Sequence, residues 1–379
     1  MEKERYSASF YRYSCSVLAV AILLIWWGAA TTTKQAGMAF ADWPLSLGSI
    51  NPDGWLRNLV PFLEHSHRLL ASLVGVMVLI MFSWAYLSVG RKGLRLLELV
   101  ILVVVLATVF GIFIRAGAER ESAEQKASLL KTGMIAGLIP FLWWIWSYLG
   151  RRWRLIEKMA ALALLLVTVQ AIFGGLRVTE ISNGFAVIHG CLAQIFFCLL
   201  IFIALLSSRK WRELPFCTGK KERSVLRFGS VVCFILVVSQ LVFGASMRHF
   251  HRNGLADDGI LKTAGSWVPK FDDPILTFMF LHKVTAVSIC LIVMALLGWS
   301  LTRRSEMMKP SRHLIAILVT LFVQIGLGIF VIVSGKNFWI TNFHVLNGLA
   351  ILALVFVLMV RGLRGKLRMD VLASGAEEG

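Results

Sequence analysis

Four histidines, His67, His189, His282 and His344, each stand near one end of a long apolar run. An ionisable side chain in such a place is costly and points to function. Two neutral imidazoles on facing helices can present a nitrogen to either side of one flat macrocycle, the arrangement of a bis-histidine haem. Taken as His67 with His189 and His282 with His344, the four would serve two haem-sized sites. A lone boundary histidine reads as a headgroup anchor; four in corresponding positions do not. The first lies in FLEHSHRLLASLVG, residues 62–75, where Glu64 precedes His67 by one turn and Arg68 follows it. Glu64 shares the helix face of His67. Met279 stands at the matching place before His282, so the acid belongs to one half only. A haem that only carries electrons needs no carboxylate beside it, whereas a site that develops positive charge on a substrate carbon does. His65 points away from His67 and is expected at headgroups or a propionate. His249 and His251 are expected in an outer loop, and His313 on the inner surface.

The elements that must position these side chains are membrane helices. The chain has 379 residues, 58% of them hydrophobic, and its apolar runs are too long and clean for a soluble domain. Runs of the length needed to span a bilayer fall near 14–31, 69–89, 96–114, 130–149, 156–176, 185–206, 228–246, 279–301, 313–334 and 343–360. With the N-terminus inside and ten alternating spans, every inner segment is basic, as positive-inside topology requires. Both termini are then cytoplasmic, and the four histidines lie towards the outer face. The formal net charge of +18 is thereby read as topology and contact with anionic lipid, not as nucleic-acid binding. The expected class is an all-α polytopic membrane protein in contact with the lipid bilayer.

A repeat relates the two halves. His67-Arg68-Leu69-Leu70-Ala71 matches His282-Lys283-Val284-Thr285-Ala286, and Gln170 to Gly174 matches Gln324 to Gly328. Before them, Ala36-Gly37-Met38-Ala39 then Asp42 matches Asn253-Gly254-Leu255-Ala256 then Asp257. Each half reads outer loop, histidine-start helix, Gln-x-x-x-Gly helix, histidine-start helix, in the same sense through the bilayer. The first half also carries an extra hairpin, about 95–149. The expected divisions are 1–207, a basic cytoplasmic linker 208–227, a second half 228–362 and a tail 363–379. Each half is expected as a four-helix bundle, pseudo-symmetric with the other.

The six cysteines form no CxxC pair and lie in apolar runs or a basic loop, so neither a disulfide framework nor a zinc site is indicated. The N-terminus lacks a small-residue cleavage site before the first run, which is expected to remain as a helix.

The runs GAATTTKQAGMAFADWPLSLGSINPDGW, EHSHRLLASLVG, QAIFGGLRVT, VIHGCLAQ, QLVFGASMRH, LHKVTA and NFHVLNGLA together resemble the haem A synthase family. The resemblance spans about residues 14–362 apart from the extra hairpin. It implies oxidation of the C8 methyl of haem O to a formyl group, giving the haem A of terminal oxidases, by successive hydroxylation and loss of water. It also implies that His282 and His344 ligate a resident haem b, which takes the electrons out. His67 and His189 would flank the substrate haem, with Glu64 at its reacting edge, and Arg68 and Lys283 would face propionates. A haem O synthase, an electron acceptor and a second copy of the chain are the partners in view, in a bacterial cytoplasmic membrane.

This sequence departs from the family pattern twice. Residues 32–66 hold no cysteine pair, and the extra hairpin makes ten spans in place of eight. Two other classes share some of these features. A dihaem cytochrome b that only passes electrons explains the histidines but leaves Glu64 without a role. A transporter would require polar groups at the midplane, whereas here they gather at the outer ends.

Overall fold

The computed structural model describes residues 7–88, 92–116, 123–150, 153–209, 211, 220–250 and 259–373. Ten α-helices account for almost all of them: α1 (Ala8–Thr33), α2 (Leu59–Leu87), α3 (Lys92–Ala116), α4 (Ala123–Gly150), α5 (Leu155–Thr179), α6 (Asn183–Ser207), α7 (Lys220–Phe250), α8 (Pro274–Leu301), α9 (Arg304–Val333) and α10 (Phe338–Ala373). Nine of these are long and apolar enough, among the described residues, to cross a membrane. The exception is α4, which carries the expected run 130–149. Several of its side chains lie outside the described set, so it is not counted with the nine. The connection 117–122 of the extra hairpin, residues 210 and 212–219 of the basic linker and residues 251–258 also lie outside that set.

Local chemistry sets the helix starts. Ser7 Oγ accepts from Phe10 N at 3.2 Å, Ser182 Oγ from Phe185 N at 3.3 Å, and Asp273 Oδ1 from Ile275 N at 2.7 Å. Each cap satisfies a donor that the first helical turn leaves free. Pro274 follows Asp273 at a position where a missing N–H costs nothing.

The chain divides into two compact units, Met1–Ser208 and Arg209–Gly379. In the first, α1 packs on α2 and α6, and α5 packs on the same two, so the four close a ring. Its core is built from side chains such as Val74, Val78, Met81, Ala160, Leu200 and Ile203, all nearly inaccessible. Leu73, Val76 and Ile80 face outward on α2, as a helix surrounded by lipid allows. In the second unit, α7 packs on α8 and α10, and α9 on the same two.

The helices α3 and α4 pair with each other and lie against α2 and α5. A buried ion cluster fastens this hairpin. Glu157 of α5, 1% exposed, accepts from Arg154 at 2.8 Å and faces Arg95 of α3 at 3.6 Å. Arg95 lies over the Tyr86 ring and donates to the Tyr86 carbonyl at 2.6 Å, while the Tyr86 hydroxyl donates to Glu98. Between hairpin and ring is an apolar cavity of about 290 Å³, walled by residues including Phe82, Leu106, Phe113, Leu165 and Ile172.

Candidate functional site

Each of the four histidines lies in the second or third turn of its helix and rests on a glycine of a neighbouring helix. A Cβ built at Gly28 of α1 would stand 2.9 Å from Cε1 of His67. At Gly174 of α5 the distance to His189 is 3.0 Å, at Gly244 of α7 to His282 it is 3.2 Å, and at Gly328 of α9 to His344 it is 3.3 Å. Only the residue without a side chain lets an imidazole approach a neighbouring backbone this closely.

The backbone four residues before the glycine then fixes the ring. His189 Nδ1 donates to the Gln170 carbonyl at 3.1 Å, and His282 Nδ1 to the Gln240 carbonyl at 3.2 Å. That assignment leaves the Nε2 lone pair free, the state a metal ligand needs. For His344 the Gln324 side chain decides. Asn347 donates to Gln324 Oε1 at 2.7 Å, which turns the Gln324 amide nitrogen towards His344 Nε2 at 3.2 Å. His344 Nε2 is therefore an acceptor too. His67 Nδ1 is buried with no partner among the described residues.

His67 and His189 are close enough for charge on one to act on the other, and so are His282 and His344. Each of these pairs therefore lies within electrostatic range. Among the described residues no three metal-ligating side chains converge; two imidazoles are what the two axial positions of a haem iron would take. The glycine nests and the free Nε2 atoms of His189 and His282 fit such a group, while at His344 the Gln324 amide occupies Nε2 and has to turn away before an iron can bind there.

Glu64 and Arg68 do something different from what was expected. The Glu64 carboxylate, 3% exposed, accepts from Ala39 N at 2.5 Å and Phe40 N at 3.2 Å, and pairs with Arg68 at 2.5 Å. Arg68 spends its remaining donors on the Asp42 carbonyl at 2.7 Å, the Leu45 carbonyl, Ser46 Oγ and the Phe40 carbonyl. The two side chains clamp the segment 34–58 onto α2. His65 is part of the same clamp, not a headgroup anchor. It is 3% exposed, bonds Ser46 Oγ at 2.9 Å and the Ile50 carbonyl at 3.0 Å, and packs on Trp55. His313, expected at the surface, is half-buried and donates to the Leu354 carbonyl at 2.7 Å. His249 falls in the last turn of α7, and His251 lies outside the described residues.

Lys283 repeats the behaviour of Arg68. Its ammonium donates to the Gly259 carbonyl at 2.8 Å, the Lys262 carbonyl at 2.9 Å and Thr263 Oγ1 at 3.4 Å, which uses all three of its donors. The segments these cations hold share one turn. Ser46 and Ser49 exchange two backbone hydrogen bonds around Leu47 and Gly48, both with positive φ. Thr263 and Ser266 do the same around Ala264 and Gly265. Two consecutive positive φ values define the tight turn that glycine favours, and Asp42 braces the first by accepting from Leu47 and Gly48 N, each at 2.8 Å. The repeat read from the sequence pairs Ala36–Ala39 and Asp42 with residues 253–257, and the latter lie outside the described residues. The signal it passed over was Ser-Leu-Gly-Ser against Thr-Ala-Gly-Ser.

One residue of the first site was not singled out at all. Arg177 lies in the last turn of α5, and its guanidinium rests on the backbone of Gly37, where a Cβ would be 2.1 Å from a guanidinium nitrogen. Trp43 of the same segment lies on Gly175 in the same way, at 2.5 Å.

Fold and site define a class: a polytopic helical membrane protein with a glycine-nested histidine pair inside each four-helix ring. The chain belongs to the cytochrome oxidase assembly protein family, whose model matches residues 131–356. It is similar to the heme A synthase of Halalkalibacterium halodurans, 19% identical over 86% of this chain and 87% of that one. It is also similar to the heme A synthase of Bartonella tribocorum, 22% identical over 86% and 84%. A 98-residue stretch is 36% identical to the heme A synthase of Geobacillus kaustophilus, covering 24% of this chain and 30% of the relative.

Proposed function

We propose that this chain is a haem A synthase, an oxidoreductase that converts the C8 methyl of haem O to the formyl group of haem A. The observation that carries this reading is the fourfold nest, in which each histidine is pressed onto a glycine, with the Nε2 of His189 and His282 left free by the backbone contact of Nδ1. The family membership and the relatives' names agree with it.

In this reading His282 and His344 hold a resident haem b, and His67 and His189 flank the substrate. The resident haem supplies one-electron transfer from the substrate site towards an acceptor. The protein contributes placement and charge. Glu64, bound by two backbone N–H groups and Arg68, offers a fixed negative field where positive charge develops on the substrate carbon. Its acceptor sites are largely taken, so it acts through charge and not as a mobile base. Ten spans with both termini in the cytoplasm of a bacterium would put both sites towards the outer face. The two rings would then be pseudo-symmetric bundles, and a haem O synthase would supply substrate.

The test is expression in cells that make haem O but no haem A, followed by haem extraction and chromatography. Haem A or its hydroxylated intermediate supports the reading. Haem b alone, with haem O unchanged in the same membranes, would return the chain to the class of electron-carrying dihaem cytochromes, which the relatives do not favour.

A further inference from the structure

Haem O is a dianion at its rim, because its two propionates are ionised, and a membrane site that takes it in must meet that charge. Arg68 was the cation expected for the task. Its donors are directed instead to Glu64 and to the carbonyls of the 34–58 segment. A different cation, Arg177, lies at the end of α5 against the same segment.

Gln170, Gly174 and Arg177 share one face of α5, since they are four and three residues apart. That face receives His189: Gly174 makes its nest and the Gln170 carbonyl accepts its Nδ1–H. Arg177 is one turn beyond the nest, ~4.5 Å further along the helix axis. Its charge acts on both His67 and His189. No hydrogen-bond acceptor and no carboxylate within ion-pair distance engages its guanidinium among the described residues; Glu64 is near enough to be felt but is not paired with it. One side of the guanidinium is closed by Gly37, which leaves donors open for an anion. A planar fork of donors matches a carboxylate in two-point geometry.

We propose that Arg177 is a positioning residue that pairs with a propionate of the substrate haem, with Gly37 setting the direction of the guanidinium. This rests on the assignment of His67 and His189 to the substrate site. The pair would fix how the macrocycle is rotated between the two histidines, and so which methyl is presented to Glu64.

The test uses the purified full chain with its resident haem, titrated with iron protoporphyrin IX and separately with its dimethyl ester, and followed by difference absorbance. The wild type should bind the diacid at least about tenfold more tightly than the ester, the size of a charge-assisted hydrogen bond. Arg177→Gln should abolish that preference while leaving the ester's affinity unchanged, and Arg177→Lys should restore part of it. Gly37→Ala, which displaces the guanidinium without removing its charge, should also reduce the preference and covers the case in which Arg177→Gln does not fold. A preference that survives in both Arg177→Gln and Gly37→Ala overturns the proposal. So does an equal loss for both ligands, which would mark Arg177 as structural. A wild-type chain with no titratable site that disappears in His67→Ala and His189→Ala overturns the substrate-site assignment itself, and Arg177's role with it.

Discussion

The imidazole of His67 lies on the backbone of Gly28, and a side chain there would force the ring off its place. A Cβ at Gly28 would be 2.9 Å from His67 Cε1, inside the closest approach of ordinary carbon contacts. The same relation recurs at Gly174, Gly244 and Gly328. The glycines are therefore part of the histidine sites, not simply helix-packing residues.

Gly244→Ala should lower the content of resident haem by pushing His282 off its place, at a packing cost of about 1–3 kcal/mol. Gly75→Ala on α2, where a Cβ meets nothing within 4 Å, is the matched control and should leave haem content intact. Haem content per chain, from the reduced-minus-oxidised spectrum, is the measurement.

His282→Ala should lose the resident haem, while His67→Ala and His189→Ala should keep it. Unchanged haem content in purified His282→Ala would refute the assignment of haem b to the second unit.

Glu64→Ala should retain haem yet lose conversion of haem O, because the fixed charge at the reacting edge is gone. It should also loosen residues 34–58, since Ala39 N, Phe40 N and Arg68 lose a shared acceptor. Combined with Arg68→Ala in a double-mutant cycle, the two should be coupled by about 0.5–3 kcal/mol. Limited proteolysis within 34–58 reads the loosening, and strict additivity would show that the two act separately. A fully active Glu64→Ala would end its catalytic role.

Glu157→Ala should destabilise the protein by about 3–5 kcal/mol, because it leaves Arg154 and Arg95 facing a buried site without their anion. Thermal unfolding in detergent is the measurement. A melting temperature equal to the wild type would mean that the ion cluster does not fasten the hairpin.

Much of this was legible along the chain. Apolar runs and helical starts are local properties, and a histidine in an apolar run stands out because its burial is costly. The pairing His67 with His189 and His282 with His344 followed from the repeat. The Gln-x-x-x-Gly motif was visible but looked weak, since its meaning lies in the facing helix, and Leu24 before Gly28 hides the fourth copy. Arg68 and Lys283 were read as propionate partners because each follows a candidate ligand. Their actual acceptors are loop carbonyls about 20 residues earlier, which no spacing rule connects to them.

By itself the sequence determined the helical membrane class, the four histidines and the solitary acid, because hydropathy and the cost of burying charge act on each segment separately. Only the tertiary structure decided which glycine receives which imidazole, that Glu64, His65 and Arg68 clamp the first loop, and that the Arg177 guanidinium rests on Gly37. Those are contacts between residues distant in the chain, and their geometry exists only once the helices have packed.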